Sequence, residues 1–534
     1  MIKKFAFIAL NIGFIIFTNF DMSVAAFNEQ IATDAKAMSL GNAVTADPPG
    51  IMSIHYNPAG LSLIEHDITY SAGISVTSVS FKGDYTADPN FDGFFGSYFT
   101  LEAVEGEGDT RGISHIPFTN SYLSAMLTPQ YGISYRKKES KWTFALGGYE
   151  PFSLGWEQTG SNNPSEFDGA TVIHQHFIYA APSVSYKATP KLSFGFSLGL
   201  GTSFHKNQFM MRIPSETFAQ TMFGGDATEH LDIPFQQQMT LPMPLYGGGI
   251  APYDEMAVLD IEMEDIFSPS LNTGILWSPL KWLSLGLTYQ SEIKIKMEGT
   301  YNIKHSNDTA RMMDWFGYGT VLPTAAALMG LPTDGSDQSG KCRFETILPQ
   351  HVQLGVKLMP VKPLKLLIDV HWADWSSTGD TNYVFDQELS ILKLARLSGY
   401  SSGTNRFIIE RKFKDTVHWS LGIEYNVLEW LDLRCGYEKR PTSVKDEYFD
   451  LMYPVTDFNV YGAGFGLILK NDILIDFGLS YMDGGTYTVK NEQSSNMNSS
   501  DWTKPIYNPH LGLDYKQKSE IISYSLKVSV PISI

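Results

Sequence analysis

The sequence predicts an all-β protein, a 14-stranded antiparallel transmembrane β-barrel with an N-terminal plug inside its lumen. Three observations predict it. Apolar and polar residues alternate with period two along many separate runs, the mark of strands with two unlike faces. Short and long connections between those runs alternate strictly, as they do in barrels with short turns at one rim and long loops at the other. Beyond the N-terminus, no segment comes near the 18 or so consecutive apolar residues of a membrane helix. A membrane crossing would therefore require a closed barrel, which satisfies every backbone group internally.

The chain has 534 residues, with 46 glycines, 13% aromatic residues and a formal net charge of -18. Its length alone would allow several soluble domains, but no Pro- or Ser-rich linker divides it. The acidic balance argues against nucleic acid, whose phosphates need basic patches. Two cysteines, Cys342 and Cys435, cannot form a disulfide framework. Cys435 falls on an apolar strand face and Cys342 in a long loop.

The first element is a secretory signal over 1–25. Lys3 and Lys4 precede the apolar run Phe5 to Phe17, and Val24, Ala25 and Ala26 supply small residues for cleavage. Residues 26–65 form the plug. The stretch from Ala35 through Met38 to Val44 has helical character, and Asp47, Pro48, Pro49 and Gly50 then break the chain. The barrel occupies 66–534.

Fourteen strands begin near residues 66, 129, 142, 171, 191, 268, 281, 344, 362, 406, 430, 457, 471 and 518. In the clearest, Leu192, Phe194, Phe196, Leu198 and Leu200 alternate with Ser193, Gly195, Ser197, Gly199 and Gly201. A second run puts Leu283, Leu285, Leu287, Tyr289, Ile293, Ile295 and Met297 on one face, assigned to lipid. Ile522 to Ile534 repeats the pattern. Short turns follow every second strand, at 137–141, 187–191, 278–281, 359–362, 426–429 and 470–472. Trp142, Trp277, Trp282 and Trp430 lie beside these turns, where rings settle at headgroup level.

Within the third strand, Gly147, Gly148, Pro151 and Gly155 crowd together. Proline removes a ladder donor and glycine removes packing, so a bulge or a gap in the wall is expected. Two outer loops are too apolar for plain solvation. Residues 206–245 include Met210, Met211, Phe218, Phe223 and Phe235, and residues 312–331 include Trp315 and Phe316. These side chains are candidate ligand contacts, or the loops pack together as a lid. His174 and His176 share a strand face, but two histidines fall short of a metal site. Lys294, Lys296 and Arg434 sit on polar strand faces and are read as lumen lining.

The N-terminal stretch AFNEQIATDAKAMSLGNAVTADPPGIMSIHYNPAGLSLI (26–64) resembles the hatch of the FadL-type family of outer-membrane long-chain fatty acid transporters, which includes aromatic-hydrocarbon importers. The family's Asn-Pro-Ala signature falls at Asn57, Pro58 and Ala59, followed by Gly60. GGYEPFSLGWEQ (147–158), LPQHVQLGVKL (348–358), IDVHWADWS (368–376), LRCGYEKRPTSVKDE (433–447) and YPVTDFNVYGAGFG (453–466) resemble its third, eighth, ninth, eleventh and twelfth strands. The resemblance implies capture of a hydrophobic ligand between outer loops, passage to a pocket near Phe27, hatch movement, and exit sideways through the kinked third strand. It implies a bacterial outer-membrane location. Outer-membrane lipid and the barrel assembly machinery are the further partners expected, the chain is expected to act as a monomer, and no cofactor is expected.

Three other functional classes stay open at this point. A passive channel for polar solutes would leave the lumen open. A membrane-embedded lipid hydrolase would need a Ser–His pair at the lipid-facing rim. An adhesin would be built from the long loops. No nucleophile elbow, phosphate loop or Cys-x-x-Cys motif occurs.

Overall fold

The computed structural model describes residues 33–90, 105–159, 163–212, 254–395, 403–499 and 508–532. The signal segment, Phe27, Phe218, Phe223 and Phe235 lie outside the described residues.

Fourteen antiparallel strands form the wall: β1 (Ile68–Ala87), β2 (Met126–Tyr135), β3 (Trp142–Thr159), β4 (Ser183–Thr189), β5 (Leu192–Arg212), β6 (Glu255–Leu280), β7 (Leu283–Gln290), β8 (His351–Val361), β9 (Leu364–Ala373), β10 (Thr416–Leu428), β11 (Leu431–Arg440), β12 (Phe458–Ile468), β13 (Leu474–Val489) and β14 (Leu513–Ile532). Each pairs with its sequence neighbour. β14 also pairs with β1 along its whole length, from Ile68↔Ile532 to Ala87↔Leu513, and so closes the barrel. The strand count and the alternation of short and long connections match the sequence reading. Closure removes the open edge that a flat sheet would carry.

Alternation along β1 shows what the wall faces. The even residues Tyr70, Ile74 and Val76 are exposed, while Thr69, Ser71, Ser75 and Thr77 are buried in the lumen. Apolar residues outside and polar residues inside are the arrangement of a barrel in lipid. Nine residues, Ile68–Val76, span roughly 23 Å at the usual rise and tilt. The exposed rings of Trp142, Trp277, Trp282 and Trp430 gird the rim with the short turns.

Above Val76 the polarity inverts. Ser78, Lys82 and Asp84 turn outward, whereas Val79, Phe81 and Tyr85 are buried inside. The strand keeps its register across this change. In β6 a bulge between Asp265 and Ser268 accompanies it, with Ile261 and Met263 buried above and Ser270 and Asn272 buried below. The second alternating run therefore needs correction. Leu283–Tyr289 does face outward, but β7 ends at Gln290 and a separate upper strand, Ile293–His305, begins with Ile293, Ile295 and Met297 buried inside. Lys294 and Lys296 accordingly point outward, not into the lumen. A strand that leaves lipid for water must exchange its faces, because the hydrophobic effect now drives apolar residues inward.

The upper barrel thus holds an apolar core that includes Phe81, Trp156, Phe209, Met263, Tyr301 and Phe344. Cys342 is buried in an upper strand, Gln338–Leu348, and not in a loop; Cys435 is exposed, and both are free thiols. Strand β5 extends to Arg212, beyond the expected loop start near 206.

Residues 33–64 fill the lower lumen. Helix α1 (Ala35–Ser39) is capped by Asp34, whose carboxylate accepts from Lys36 N and Ala37 N. Helix α2 (Ser53–Tyr56) leads into a 3-10 turn, Pro58–Leu63. Ala35, Leu40, Val44, Ile54 and Ala59 are fully buried.

Candidate functional site

The N-terminal segment lies against the wall where glycines replace side chains. Gly422, Gly436 and Gly462 are register partners across β10, β11 and β12. A Cβ on Gly436 would fall 2.0 Å from Leu40 C, one on Gly195 2.0 Å from Ala59 N, and one on Gly286 2.1 Å from Thr45 O. At Gly41, with φ +59, a Cβ would fall 2.7 Å from Tyr437 N.

Asn57 ties this segment together. Its Nδ2 donates to Thr45 O at 2.8 Å and to Ile275 O of β6 at 3.2 Å, while its Oδ1 accepts from Ala59 N at 3.1 Å. Pro58 starts the 3-10 turn that Asn57 caps. A Cβ on Gly60 would overlap the Pro48 ring at 2.1 Å. These four residues thus join two parts of the segment and hold one to the wall.

Charge anchors the rest. Lys527 Nζ lies 2.6 Å from Asp34 Oδ2 and 3.2 Å from Asp476 Oδ2. Arg434 bridges Asp476, at 2.6 Å, to Glu424, at 2.8 Å. Lys365 joins Glu424, at 2.5 Å, to Asp47, at 3.5 Å, and Lys36 and Lys357 each reach Asp47 at 2.7 Å. The chain of alternating charge begins on Asp34 and returns to Lys36, both in the first turn of the segment. Burial alone would raise the Asp47 carboxyl, yet Lys36, Lys365 and Lys357 together hold it well below its ordinary range. Among the three expected lumen cations, only Arg434 faces inward.

Directly above α2 is a cleft with about 480 Å³ of space between its walls, part of it open to solvent. Its apolar side comes from Phe152, Ile178, Ile293 and Leu348, and its polar side from His55, Asn272 and Gln290. Gln290 Nε2 and Asn272 Nδ2 donate to His55 O, at 2.7 and 3.4 Å. The His55 ring is 4.8 Å from that of Tyr149, and its Nε2 is buried without a hydrogen-bond partner. Burial, with His351 nearby, pushes the imidazole down to about 3. Sequence reading missed His55, because a histidine on a short helix carries no signal of what it faces.

The cleft meets the third strand at its irregular point. On one edge, Tyr149 pairs with Ile178 and Phe152 with His176, so Glu150 and Pro151 together oppose a single residue. On the other edge, β2 pairs with Phe144 to Gly148, and the strand Gly106–Gly112 pairs with Trp156 to Thr159. Between them Tyr149 to Leu154 has no ladder partner on that edge. Pro151 lines the cleft at this gap, and Gly155 O accepts from Ile113 N at 3.1 Å. Gly147 and Gly148 pair normally with Gly132 and Tyr131 below it.

The expected loop contacts divide. Met211, Phe316 and Trp315 belong to the upper apolar core or pack against it, while Met210 lies on the opposite face of β5. Trp315 and Phe316 are in α3 (Asn307–Phe316), which is followed by α4 (Val321–Met329). Tyr318, Val321 and Leu328 of this helical pair are exposed. His174 and His176 face the interior, and no metal-holding group of three ligands occurs among the described residues.

Comparison with known proteins agrees with this architecture. Residues 19–529 match the family described as outer membrane protein transport protein (OMPP1/FadL/TodX). The long-chain fatty acid transport protein of Escherichia coli K12 is 28% identical over 218 residues, 41% of this chain and 42% of that protein. The match therefore spans less than half the length of that relative. A Pseudomonas aeruginosa FadL homologue of known structure, 16% identical, superposes with a TM-score of 0.65 over 95% of this chain and 100% of its own. The P. putida toluene transporter TodX, 15% identical, gives 0.59 over 96% and 100%. The chain belongs to the outer membrane protein transport protein (OMPP1/FadL/TodX) family and is a bacterial outer-membrane β-barrel.

Proposed function

We propose that this protein imports long hydrophobic molecules, long-chain fatty acids foremost, across the outer membrane. The ligand is captured at the apolar outer loops and descends the apolar interior of the upper barrel. It stops in the cleft above residues 33–64, which act as a hatch, and leaves through the unpaired edge of β3. The step is downhill and forms no covalent bond.

One observation carries this reading: the apolar interior ends at a cleft whose wall is the broken ladder of β3. A polar solute would gain nothing from such a path, whereas each buried methylene contributes about 0.8 kcal/mol. The curated relatives that match part of the chain are long-chain fatty acid transport proteins, which favours an aliphatic ligand. Import of aromatic hydrocarbons is the second reading, favoured by the likeness in fold to toluene transporters.

Deleting Pro151 tests the exit. The deletion leaves Glu150 alone opposite Phe177 and keeps Tyr149 and Phe152 both facing inward, so the strand can regularise. Uptake of a labelled long-chain fatty acid by cells should fall about tenfold or more, the effect expected of a closed passage, while the purified barrel still binds it. Unchanged uptake would mean that the ligand leaves by another path.

A further inference from the structure

The polar side of the cleft is made of His55, Ser270, Asn272, Gln290, Ser291 and His351. No Lys or Arg is among the described residues that line it. The cations nearest the hatch are committed to carboxylates: Lys36, Lys357 and Lys365 to Asp47, Arg434 to Glu424 and Asp476, and Lys527 to Asp34 and Asp476. The ionisable group at the exit is itself an acid, Glu150, 5% exposed, with Oε1 accepting from Gln175 Nε2 at 2.9 Å. A carboxylate brought into this site would lose its hydration and meet no Lys or Arg, the remaining basic group of the lining beside His55 being the imidazole of His351.

Among these lining groups, His55 has a buried nitrogen to spare. Its side chain is 3% exposed and its Nε2 is buried with no partner. A buried polar atom left unpaired destabilises the site until something bonds to it. The main chain of the same residue is fixed by Gln290 and Asn272, and its ring stands against Tyr149. The ring is therefore held in place on the polar side of the cleft, with one nitrogen unused.

We propose that the cleft receives its ligand uncharged, with one hydroxyl, carbonyl or protonated carboxyl oxygen bonded to His55 Nε2. The class is a long-chain alcohol, ester or protonated fatty acid. A fatty acid then enters as the acid, its carboxylate having taken up a proton from water at the outer loops. This inference rests on the transport reading above and adds the chemistry of the head group to it. The imidazole stays neutral through the physiological range, so it serves either as donor or as acceptor, according to tautomer.

Decan-1-ol, decane and decanoate share one chain length and differ only at the head. Titration of the purified full-length barrel at pH 8 should give decan-1-ol binding about tenfold tighter than decanoate, the scale of discrimination a single uncompensated group imposes. Decanoate should gain affinity as the pH falls towards 5, where more of it is protonated, and the gain should be the same in His351→Gln, which removes the other imidazole of the cleft. In His55→Phe the preference for decan-1-ol over decane should vanish, and in His55→Gln, which keeps a hydrogen-bonding group, it should persist. Equal or tighter binding of decanoate at pH 8 would overturn the proposal, as would an alcohol preference that survives His55→Phe. If all three ligands bind wild-type protein equally and are taken up, the transport reading stands and the head-group assignment alone fails. If none binds, both fail.

Discussion

At the residue scale, residues 33–64 are held in the lumen by charges that find one another across the wall. Glu424 and Arg434 are register partners, and so are Lys365 and Glu424, and Asp476 and Lys527. Each pair sits on the polar face of adjacent strands, and opposite charges on facing strands are legible once the turns are assigned. What the sequence does not show is that Asp34, Lys36 and Asp47 complete the series from a segment hundreds of residues away. Asp47 makes this testable. Its folded carboxyl is held well below the ordinary range by Lys36, Lys365 and Lys357, despite burial. A depressed carboxyl contributes stability above its unfolded value, about 3.9, and loses it as pH falls through the lower folded value. Hydrogen exchange of the amides from Ala35 to Asp47 should therefore show no contribution from Asp47 titration between pH 8 and pH 5, with loss of protection only below about 4. Asp47→Asn should loosen the segment across that whole range, by about 3 kcal/mol, as when one partner of a buried pair is removed. Equal exchange in the variant and the wild type would show that the lysines do not anchor the hatch.

At the element scale, glycine decides where the N-terminal segment can lie. The alternation of Ser and Gly in Leu192–Leu200 identifies a lumen face, but in sequence its glycines read only as small lumen lining. The structure gives them a second meaning, because Gly195 faces Gly274 and Gly286 faces Gly355 across the ladder. Each pair opens a recess in the wall that backbone of residues 40–60 enters. A glycine inside a strand weakens it, and here that weakness coincides with close approach of another chain segment. Gly436→Val introduces a branched side chain whose Cβ would lie 2.0 Å from Leu40 C and 2.2 Å from Gly41 N. Strands tolerate valine well, so the barrel should still assemble and keep its shifted mobility on an unheated gel. The hatch should be displaced, and liposomes containing the variant should admit small sugars that wild-type barrels exclude. A variant that stays impermeable would show that the segment can reseat elsewhere in the lumen. The third strand is more fully legible. Pro151 among glycines indicates a bulge or a gap, and both are present: the bulge on the edge toward Thr171–Ala180, the gap on the edge toward β2.

At the scale of the whole molecule, two barrels of opposite polarity are stacked on one set of strands. The lower has apolar residues outside and residues 33–64 within; the upper has charged residues outside and an apolar core within. Period-two alternation is identical in both, which is why sequence alone assigns Ile293, Ile295 and Met297 to lipid. Only the partner surface, lipid or water, tells the faces apart, and alternation contains no record of it. A usable signal is nonetheless present: in β1 the polar face changes from Thr69, Ser71 and Ser75 to Ser78, Lys82 and Asp84 without a break in the strand. The switch between Val76 and Ser78 sets the height of the outer membrane boundary. Spin labels placed singly at Tyr70, Ile74, Ser78 and Lys82 of the barrel in lipid should divide at that step. The first two should be relaxed by oxygen, which partitions into the bilayer, and the last two by a water-soluble nickel complex. The same boundary should recur on β14, whose neighbours Ile522 and Tyr524 are exposed apolar residues and whose Lys518 and Glu520 point outward above them. Oxygen relaxation continuing through Lys82 would place the upper strands in lipid. The charged outer face there would then be buried at a cost of about 2–4 kcal/mol for each lysine at the midplane, and the descent of a ligand through an apolar upper barrel would lose its physical basis.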